Sequence, residues 1–404
     1  MNDVPLTVLD LFCGAGGLSR GFSEAGFDVI LAADKNQAAV ATYCRNFSHP
    51  AIELDLSSSL KLPAASVIVG GPPCQGFSSA GARRKGDSRN SLVGTFARIV
   101  AEQRPEAFVF ENVEGFLTGD GGAHVIELLE PLIAAGYRIH LRKINAANYG
   151  VPQHRKRVLA IGGLEWDPTF PAPTHTAFGA PGAASHACHL PLCPSVTEAL
   201  AGLPRAETTG LGQPQGHTYR ELLPSARMRA EQLLPGMTMI DLPTSLQHQS
   251  FRRRSARRVC DGTPTESRGG APAGVRRLSP DEPSKAVTSG ARTEFLHPRE
   301  HRTLTIRECA RLQTFADDFE FCGTQSEQAQ LIGNAVPPLL AFHIARNLRH
   351  DLETFEHCFD TGALLSFVPT QATGMSPALQ RTTLLVARQA VVNDAQKEFH
   401  FVSI

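Results

Sequence analysis

The sequence lacks both a long hydrophobic run and an excess of charge of either sign. Its apolar stretches fall short of the ~20 residues that a membrane-spanning helix needs, so we expect no association with membranes. The 39 Lys and Arg residues balance the 39 Asp and Glu residues. Net charge therefore predicts no polyanionic partner, and a nucleic-acid surface would have to come from local clusters of basic residues.

A disulfide framework and a secretory signal are also missing. The nine cysteines are odd in number and scattered along the chain, which is typical of a reducing compartment. The first residues show neither a basic segment nor a long apolar segment. We therefore expect a cytoplasmic protein. At 404 residues, of which 42% are hydrophobic, the chain has room for about two or three domains and a large core.

Short apolar runs alternate with helical patterns in the first part of the chain. The predicted strands are Thr7–Phe12, Val29–Ala33, Val67–Val69, Ala107–Phe110 and Arg157–Ile161. The predicted helices between them are Leu18–Ala25, Gln37–Asn46, Leu92–Gln103 and Ala123–Ala135. This alternation predicts an α/β fold built on a mostly parallel, doubly wound sheet.

The character of the sequence changes after Trp166. Residues 167–275 are rich in Pro, Gly, Ser, Thr and Arg, which predicts a smaller, loop-rich second domain. Helical patterns return from about Leu304, in TIRECARLQTF and in a helix from about Pro338 to His350. We expect residues 276–350 to re-enter the first domain, residues 1–166. Residues 351–404 form a C-terminal extension with one amphipathic helix candidate, Pro377–Phe399. That helix would either pack on the first domain or pair two chains.

A glycine-rich segment, residues 13–17, directly follows the first predicted strand. Glycines at a strand-to-helix turn let a ligand approach the backbone closely. Asp34 ends the next strand, where a carboxylate can hold ribose hydroxyls. The dinucleotide pattern G-x-G-x-x-G fails because Ser19 stands at its third glycine position. The segment therefore favours a nucleoside cofactor without a pyrophosphate, such as S-adenosylmethionine, over NAD; the alternative is a turn with a purely structural role.

A cysteine, Cys74, follows the third predicted strand in the segment GGPPCQGFS. The end of a strand in an open parallel sheet faces the ligand crevice, and Pro72 and Pro73 stiffen the backbone before the thiol. The next stretch, residues 79–87, is small, polar and basic, which indicates a loop that can close over a polyanion. Cys74 is thus a candidate nucleophile; the alternative is a buried or incidental loop cysteine.

An ordered series of motifs resembles that of the DNA cytosine-5 methyltransferases. The motifs are DLFCGAGG, GGPPCQGFSSAG, FENVEGF, NYGVPQHRKRV, RRLSPDEPSKAVTSG and QLIGNAVPP, and they cover most of residues 7–165 and about 276–350. The resemblance implies a Rossmann-like catalytic domain that binds S-adenosyl-L-methionine. It also implies that the variable segment, residues 167–275, is a target-recognition domain.

The resemblance further implies which residues hold the cofactor. Asp34 would take the ribose and Asp55 the adenine amino group, while Asn334 and Val336 would complete the pocket. The implied cofactor-binding set is Phe12, Gly14, Ala15, Gly16, Gly17, Asp34, Lys35, Asp55, Leu56, Pro73, Leu92, Asn334 and Val336. Lys35 departs from the family pattern, because many members carry there an aromatic residue that stacks on adenine.

Four residues are expected to carry the chemistry: Cys74, Glu111, Arg155 and Arg157. C5 of cytosine is a poor nucleophile, but thiolate addition at C6 turns the ring into an enamine whose C5 can attack a methyl group. Cys74 would add to C6, and Glu111 would hydrogen-bond N3 and the 4-amino group. Arg155 and Arg157 share one face if their segment is extended, and one or both would hold O2 and the flanking phosphate. The alternatives are a turn-capping carboxylate and a solvated basic edge.

Clustered arginines predict the DNA surface, since phosphates and guanine edges both favour arginine. Five arginines fall within residues 251–258, and Arg276 and Arg277 follow; the alternative is a solvated charge run. The target base would be flipped out of the duplex. The predicted DNA-binding residues are Gln75, Ser78, Arg83, Arg84, Arg252, Arg253, Arg254, Arg257 and Arg258. The spacing of His175, His186, Cys188, His189 and Cys193 matches no standard zinc site, so a variable loop is favoured there.

These features predict a bacterial-type enzyme that methylates C5 of cytosine within a specific duplex DNA sequence through a covalent Cys74 adduct. We expect a monomer that acts alone or beside a restriction endonuclease specific for the same site. One alternative is an RNA cytosine-5 methyltransferase on the same scaffold, against which the long variable segment argues. The other is a catalytically silent DNA-binding regulator, against which the presence of Cys74, Glu111 and Arg157 argues.

Overall fold

A mostly parallel sheet forms the centre of the molecule. The computed structural model describes residues 5–56, 62–73, 91–177, 189–210, 212–253, 274–370 and 374–393. The strands in these ranges are β1 Thr7–Leu11, β2 Asp28–Asp34, β3 Ala51–Glu53, β4 Val67–Gly70, β5 Ala107–Val113, β6 Tyr137–Asn145, β7 Gln153–His154, β8 Lys156–Leu164, β9 Arg276–Arg277, β10 Ser284–Lys285, β11 Phe295–Leu296 and β12 Ala363–Val368. The main sheet has the order β12-β6-β8-β5-β4-β1-β2-β3. Only β8 in this sheet runs antiparallel to its neighbours, β5 and β6, so the predicted α/β architecture is confirmed.

Helices cover both faces of this sheet. The helices in the described ranges are α1 Gly17–Glu24, α2 Gln37–Asn46, α3 Leu92–Gln103, α4 Ala123–Ala134, α5 Val196–Leu200, α6 Pro224–Gln232, α7 Ala291–Glu294, α8 Ile306–Leu312, α9 Gln325–Asn334, α10 Pro338–Thr354 and α11 Pro377–Asn393. None of these helices is long and apolar enough to cross a bilayer.

The alternation of side chains along β1 explains the two layers. Leu9 and Leu11 lie in the core that α3 and α4 cover, whereas Val8 lies in the core that α1 and α10 cover. Successive residues of a strand point to opposite faces, so a buried central strand is apolar throughout. The exception is Asp10, which is fully buried on the α1 side of the strand.

The variable segment contributes most of a small hydrophobic cluster, which β11 completes; its buried members are Ala230, Leu233, Met239, Leu242, Phe251 and Leu296. Arg277 is buried beside it and donates hydrogen bonds to the carbonyl oxygens of Leu233, Ala230 and His297. A buried guanidinium committed to backbone carbonyls is not open to DNA. The expectation that Arg277 joins the DNA-contact arginines is therefore wrong.

The C-terminal extension is part of the same fold. β12 pairs in parallel with β6 and becomes the edge strand of the main sheet. α11 packs on α4 and on the 3-10 helix Gly119–Gly122, and the buried hydroxyl of Thr382 donates to the carbonyl oxygen of Leu117 over 2.8 Å. Of the two arrangements expected for this helix, the structure shows packing on the first domain.

Candidate active site

The predicted site residues converge at one edge of the main sheet. This edge holds the carboxyl ends of β1, β2, β4 and β5 together with the beginning of the antiparallel strand β8. In open α/β sheets, ligands bind outside the carboxyl ends of the strands. The topology therefore brings Glu111 and Arg157 together, although they are far apart in the chain.

Glu111 and Arg157 form a buried ion pair at this edge. Glu111 Oε1 lies 2.6 Å from Arg157 Nε, and the two side chains are only 7% and 11% exposed. Because Val113 pairs with Arg157 across β5 and β8, Glu111 and Arg157 are diagonal neighbours on one face. Burial lowers the pKa of Arg157, and the charge of Glu111 opposes that shift. Oε1 is thus held against Arg157, whereas Oε2 lies toward Gly71 in the segment after β4.

Arg155 has a different place from the one predicted. It is fully buried, and its guanidinium donates to the carbonyl oxygens of Val287, Gly333 and Ala335, each over 2.8 Å. Burial and the neighbouring charge of Arg157 lower the pKa of Arg155. Since these donors tie two backbone segments together, the expected role of Arg155 in holding an anion is corrected to a structural one. Arg157 remains as the candidate anion holder.

The segment after β4 lies against the carboxylate of Glu111. A Cβ at Gly71 would come within 3.2 Å of Glu111 Oε2, so a side chain there would crowd the acid. Asn112 anchors the same segment, because its Nδ2 donates to the carbonyl oxygen of Pro72 over 3.0 Å. Pro73 is the last described residue of this segment, and the predicted nucleophile Cys74, which follows it, lies outside the described ranges.

The glycine-rich turn after β1 leaves one position open to a ligand. Gly14 adopts φ +54°, and among the described residues no atom lies within 4 Å of a Cβ added there. By contrast, a Cβ at Gly16 would overlap the ring of Phe47, and one at Gly17 would overlap the carbonyl oxygen of Val336. Phe12 also adopts a positive φ of 59°, a conformation that non-glycine residues rarely take and that is enriched at functional turns. The open backbone at Gly14 fits a cofactor that lies against the turn.

Of the remaining predicted cofactor residues, Asp34 contacts this turn directly. Asp34 Oδ2 accepts the backbone N–H of Gly14 over 2.9 Å and Asp34 Oδ1 that of Asn36 over 2.8 Å, which leaves further acceptor positions on both oxygens. Leu56 and Leu92 are buried, whereas Lys35, Asp55, Pro73 and Asn334 are exposed. Ala15 packs with the helices α8 and α9. The set contains the acidic and apolar residue types that nucleoside sites use.

A buried polar network next to the turn was not predicted from the sequence. The hydroxyl and backbone N–H of Ser19 both donate to Asp10 Oδ2, over 2.6 and 3.1 Å. The Tyr43 hydroxyl donates to Ser19 Oγ over 2.6 Å and lies 3.1 Å from His49 Nδ1. The available signal was an acidic residue inside an otherwise apolar strand, since charged groups are rarely buried without partners.

The predicted DNA-binding residues fall mostly outside the described ranges: Gln75, Ser78, Arg83, Arg84, Arg254, Arg257 and Arg258. Arg252 and Arg253 are described and exposed, directly after the buried Phe251. Of the histidines and cysteines considered as zinc ligands, Cys193 is buried with its thiol against the carbonyl oxygen of Val151, and His186 and Cys188 lie outside the described ranges.

Comparison with known proteins gives a family for this arrangement. The sequence profile of the C-5 cytosine-specific DNA methylases matches residues 6–350. The Type II methyltransferase M1.HphI of Haemophilus parahaemolyticus is 34% identical over 360 residues, which span 84% of this chain and 86% of that protein. The Type II methyltransferase M.AgeI of Thalassovita gelatinovora is 32% identical over 431 residues, which span 85% of this chain and 99% of that protein.

Solved structures agree with this assignment. A prophage-encoded E. coli chain, described as a candidate DNA modification methyltransferase, superposes with a TM-score of 0.64 at 26% identity and covers 86% of this chain and 100% of its own. The Dnmt2 methyltransferase of S. pombe superposes with a TM-score of 0.50 at 18% identity over 86% of this chain and 100% of its own, which supports the fold alone. The chain therefore belongs to the C-5 cytosine-specific DNA methylase family and is a DNA cytosine-5 methyltransferase.

Proposed function

We propose that this enzyme methylates C5 of a flipped-out cytosine within a specific duplex DNA sequence, with S-adenosyl-L-methionine as the methyl donor and Cys74 as the nucleophile. The observation that carries the proposal is the buried ion pair of Glu111 and Arg157, which lies beside Gly71 at the carboxyl edge of the sheet. Cys74 follows Gly71 by three residues in the sequence.

The ion pair supplies the hydrogen bonds that activation of the pyrimidine needs. Glu111 Oε2, the oxygen that does not contact Arg157 Nε, would accept from the 4-amino group, and in its protonated form Glu111 would donate to N3. Either contact makes C6 more susceptible to addition. Arg157 holds the carboxylate in place and can also donate to O2, where charge develops as the adduct forms. Because both side chains are largely removed from water, these interactions act at low local dielectric.

Cys74 would form and later break one covalent bond. Its thiolate adds to C6 of cytosine, and the electron pair of the C5–C6 double bond moves toward C5 as N3 gains a hydrogen bond or proton. C5 would then take up the methyl group, whose bond to the sulfonium sulfur breaks with its electron pair left on the neutral thioether of S-adenosylhomocysteine. A base would remove the C5 proton, and elimination of the thiolate would restore the double bond. The proton acceptor in the last step is a water molecule or a group that the described residues do not identify.

The glycine turn and its neighbours would hold the cofactor. S-adenosyl-L-methionine, when bound, supplies a methyl group made electrophilic by its sulfonium. The open backbone at Gly14 would lie against it, Asp34 would accept the ribose hydroxyls, and Asp55 would accept the adenine amino group. Val336, whose carbonyl oxygen faces Gly17, would close the pocket.

The variable segment would read the DNA sequence. We assign residues 167–275 as the target-recognition domain. The small hydrophobic cluster to which this segment contributes Phe251, and the exposed Arg252 and Arg253 that follow, support this assignment. Several relatives are named Type II methyltransferases. A restriction endonuclease that cuts the same unmethylated site is therefore the proposed functional partner.

A cysteine exchange tests the nucleophile. Cys74→Ala should abolish methyl transfer to duplex DNA while leaving the affinity for S-adenosylmethionine unchanged. Cys44→Ala, at an exposed cysteine on α2, is the matched control and should retain activity. Normal turnover by Cys74→Ala would reject the nucleophile assignment.

A second experiment tests the covalent route and the substrate. Duplex DNA carrying 5-fluorocytosine has no C5 proton to remove, so a bound chain should remain attached and survive a denaturing gel. Methyl uptake into duplex DNA and into tRNA is measured in parallel, and we expect uptake into DNA. Good DNA binding without the trapped complex, or uptake into tRNA alone, would overturn the proposal.

A further inference from the structure

Helix α1, which follows the glycine turn, has no cap from its own sequence. Its N-cap residue is Gly16, which offers no side chain to accept a backbone N–H. The first N–H groups of a helix have no partner inside the helix and are usually capped by a side-chain oxygen. Here the third helical residue, Ser19, donates its backbone N–H to Asp10 Oδ2 in the neighbouring strand β1. Asp10 thus caps the helix from a distance, and its negative charge suits the positive end of the helix dipole.

The cap continues as a directed chain of hydrogen bonds. The Ser19 hydroxyl donates to Asp10 and accepts from the Tyr43 hydroxyl, each over 2.6 Å. A tyrosine hydroxyl has one proton, and that proton is used toward Ser19. The 3.1 Å contact between Tyr43 and His49 therefore requires His49 Nδ1 to be the donor. The chain runs from the half-buried His49 to the fully buried Asp10 and passes directly behind the glycine turn.

The same residues form the surface on which the turn rests. Gly16 packs on the rings of Tyr43 and Phe47, which are 4.4 Å apart, and Gly17 packs on the carbonyl oxygen of Val336. A displacement of α1 or of Tyr43 would therefore move both glycines relative to the rest of the proposed cofactor site.

Asp10 has little to compensate its charge. Its neighbours across the sheet are Ala32 and Val69, both buried and apolar. Burial raises the pKa of Asp10 to about 7, against the effect of the hydrogen bonds from Ser19, and the charge of Asp34 adds to the rise. The other titratable groups facing it are Cys13, after β1, and Tyr43, on α2. Among the described residues, Asp10 Oδ1 has no hydrogen-bond donor.

We infer that Asp10 is a positioning residue for the S-adenosylmethionine site, which holds α1 and the glycine turn through Ser19 and loosens this hold when its carboxylate takes up a proton. The inference rests on the proposed use of this turn for cofactor binding. Since hydrogen bonds to a charged acceptor are stronger than those to a neutral one, the ionised form should favour the cofactor. The affinity for S-adenosylmethionine should therefore fall as the pH drops through about 7.

The test measures the dissociation constant of S-adenosylmethionine by calorimetry, on the full chain without DNA, between about pH 6 and pH 8.5. The wild type should bind about tenfold more weakly at the acid end. Asp10→Asn keeps the shape of the side chain but cannot ionise, so its affinity should be about tenfold weaker at high pH and flat across neutrality. Ser19→Ala removes a hydrogen bond that lowers the pKa of Asp10, so the midpoint of the pH dependence should move to higher pH.

A matched serine serves as the control. Ser66→Ala removes another partly buried hydroxyl, at the opposite end of the sheet, where it accepts the backbone N–H of Thr7, and it should leave the midpoint unchanged. A wild-type affinity for S-adenosylmethionine that does not change with pH would overturn the role of Asp10 but not the proposed function. The same holds if Ser19→Ala does not move the midpoint of the pH dependence. A wild-type chain that binds no S-adenosylmethionine at any pH would overturn the proposed function together with it.

Discussion

Replacement of Arg155 by lysine tests whether this residue is a structural tie rather than an anion holder. The Arg155 guanidinium reaches three carbonyl oxygens, those of Val287, Gly333 and Ala335, from a site with no exposure to solvent. A lysine side chain ends in one compact ammonium group and lacks the planar fork of donors that a guanidinium has. It therefore cannot span acceptors that lie on separate segments. Arg155→Lys should therefore leave one or two of these carbonyls without a donor.

The magnitude follows from the number of lost bonds. A hydrogen bond to a charged group contributes about 1.5–3 kcal/mol, and a buried acceptor left without a partner costs a similar amount. For one or two such bonds, the free energy of unfolding should fall by about 1.5–6 kcal/mol. Gly333 and Ala335 flank Asn334 in the segment that faces the glycine turn, so the affinity for S-adenosylmethionine should weaken as well.

Urea denaturation and cofactor calorimetry together check this prediction. The control is Arg349→Lys, because Arg349 also donates to two carbonyl oxygens, of Ala25 and Gly26, but its side chain is 40% exposed. Water can replace those bonds, so the control should change stability by less than about 0.5 kcal/mol. An Arg155→Lys variant as stable as this control, with full activity, would refute the structural role derived for Arg155.

Three further changes probe other parts of the molecule. Glu111→Gln should lower the single-turnover rate of methyl transfer about 100-fold or more with DNA binding retained. Glu114→Gln, at an exposed acid that pairs with Lys143, should not lower this rate, and equal rates for the two variants would contradict the role of Glu111. Thr382→Val removes the buried hydroxyl on α11 that donates a hydrogen bond to the carbonyl oxygen of Leu117. The free energy of unfolding, measured by urea denaturation, should fall by about 1–2 kcal/mol. This loss should exceed that of a substitution on the solvent side of the helix. Asp10→Asn should become more stable relative to the wild type as the pH rises from about 4 to about 7, because the folded wild type holds its proton up to about pH 7 and the unfolded chain only to about pH 4. The gain in the free energy of unfolding of Asp10→Asn over the wild type should approach about 4 kcal/mol. If the difference between the melting temperatures of the two proteins does not grow with pH, the burial argument is contradicted.

Several elements could be predicted to the residue because their signals are local. The helices α2 and α3 begin and end at the predicted positions. Their capping residues, Asn36 and Ser91, accept backbone N–H groups at the helix starts, and such caps depend only on nearby sequence. The strand Tyr137–Asn145 was not predicted, because Arg138, His140 and Arg142 interrupt the apolar pattern along it. Their partners, on β12 and on the segment after β8, come from distant parts of the chain.

The sequence alone determined the family, the order of the motifs and the residue types that the chemistry requires, because motif spacing and helix capping are encoded over a few residues. The tertiary structure decided which of those residues are free to act. Arg155 and Arg157 are equivalent in the sequence, yet one is committed to backbone carbonyls and the other faces Glu111. Asp10 looks like part of a motif, and only burial between Ala32 and Val69 makes its charge costly. Burial and long-range partners arise when the strands assemble, and no local pattern records them.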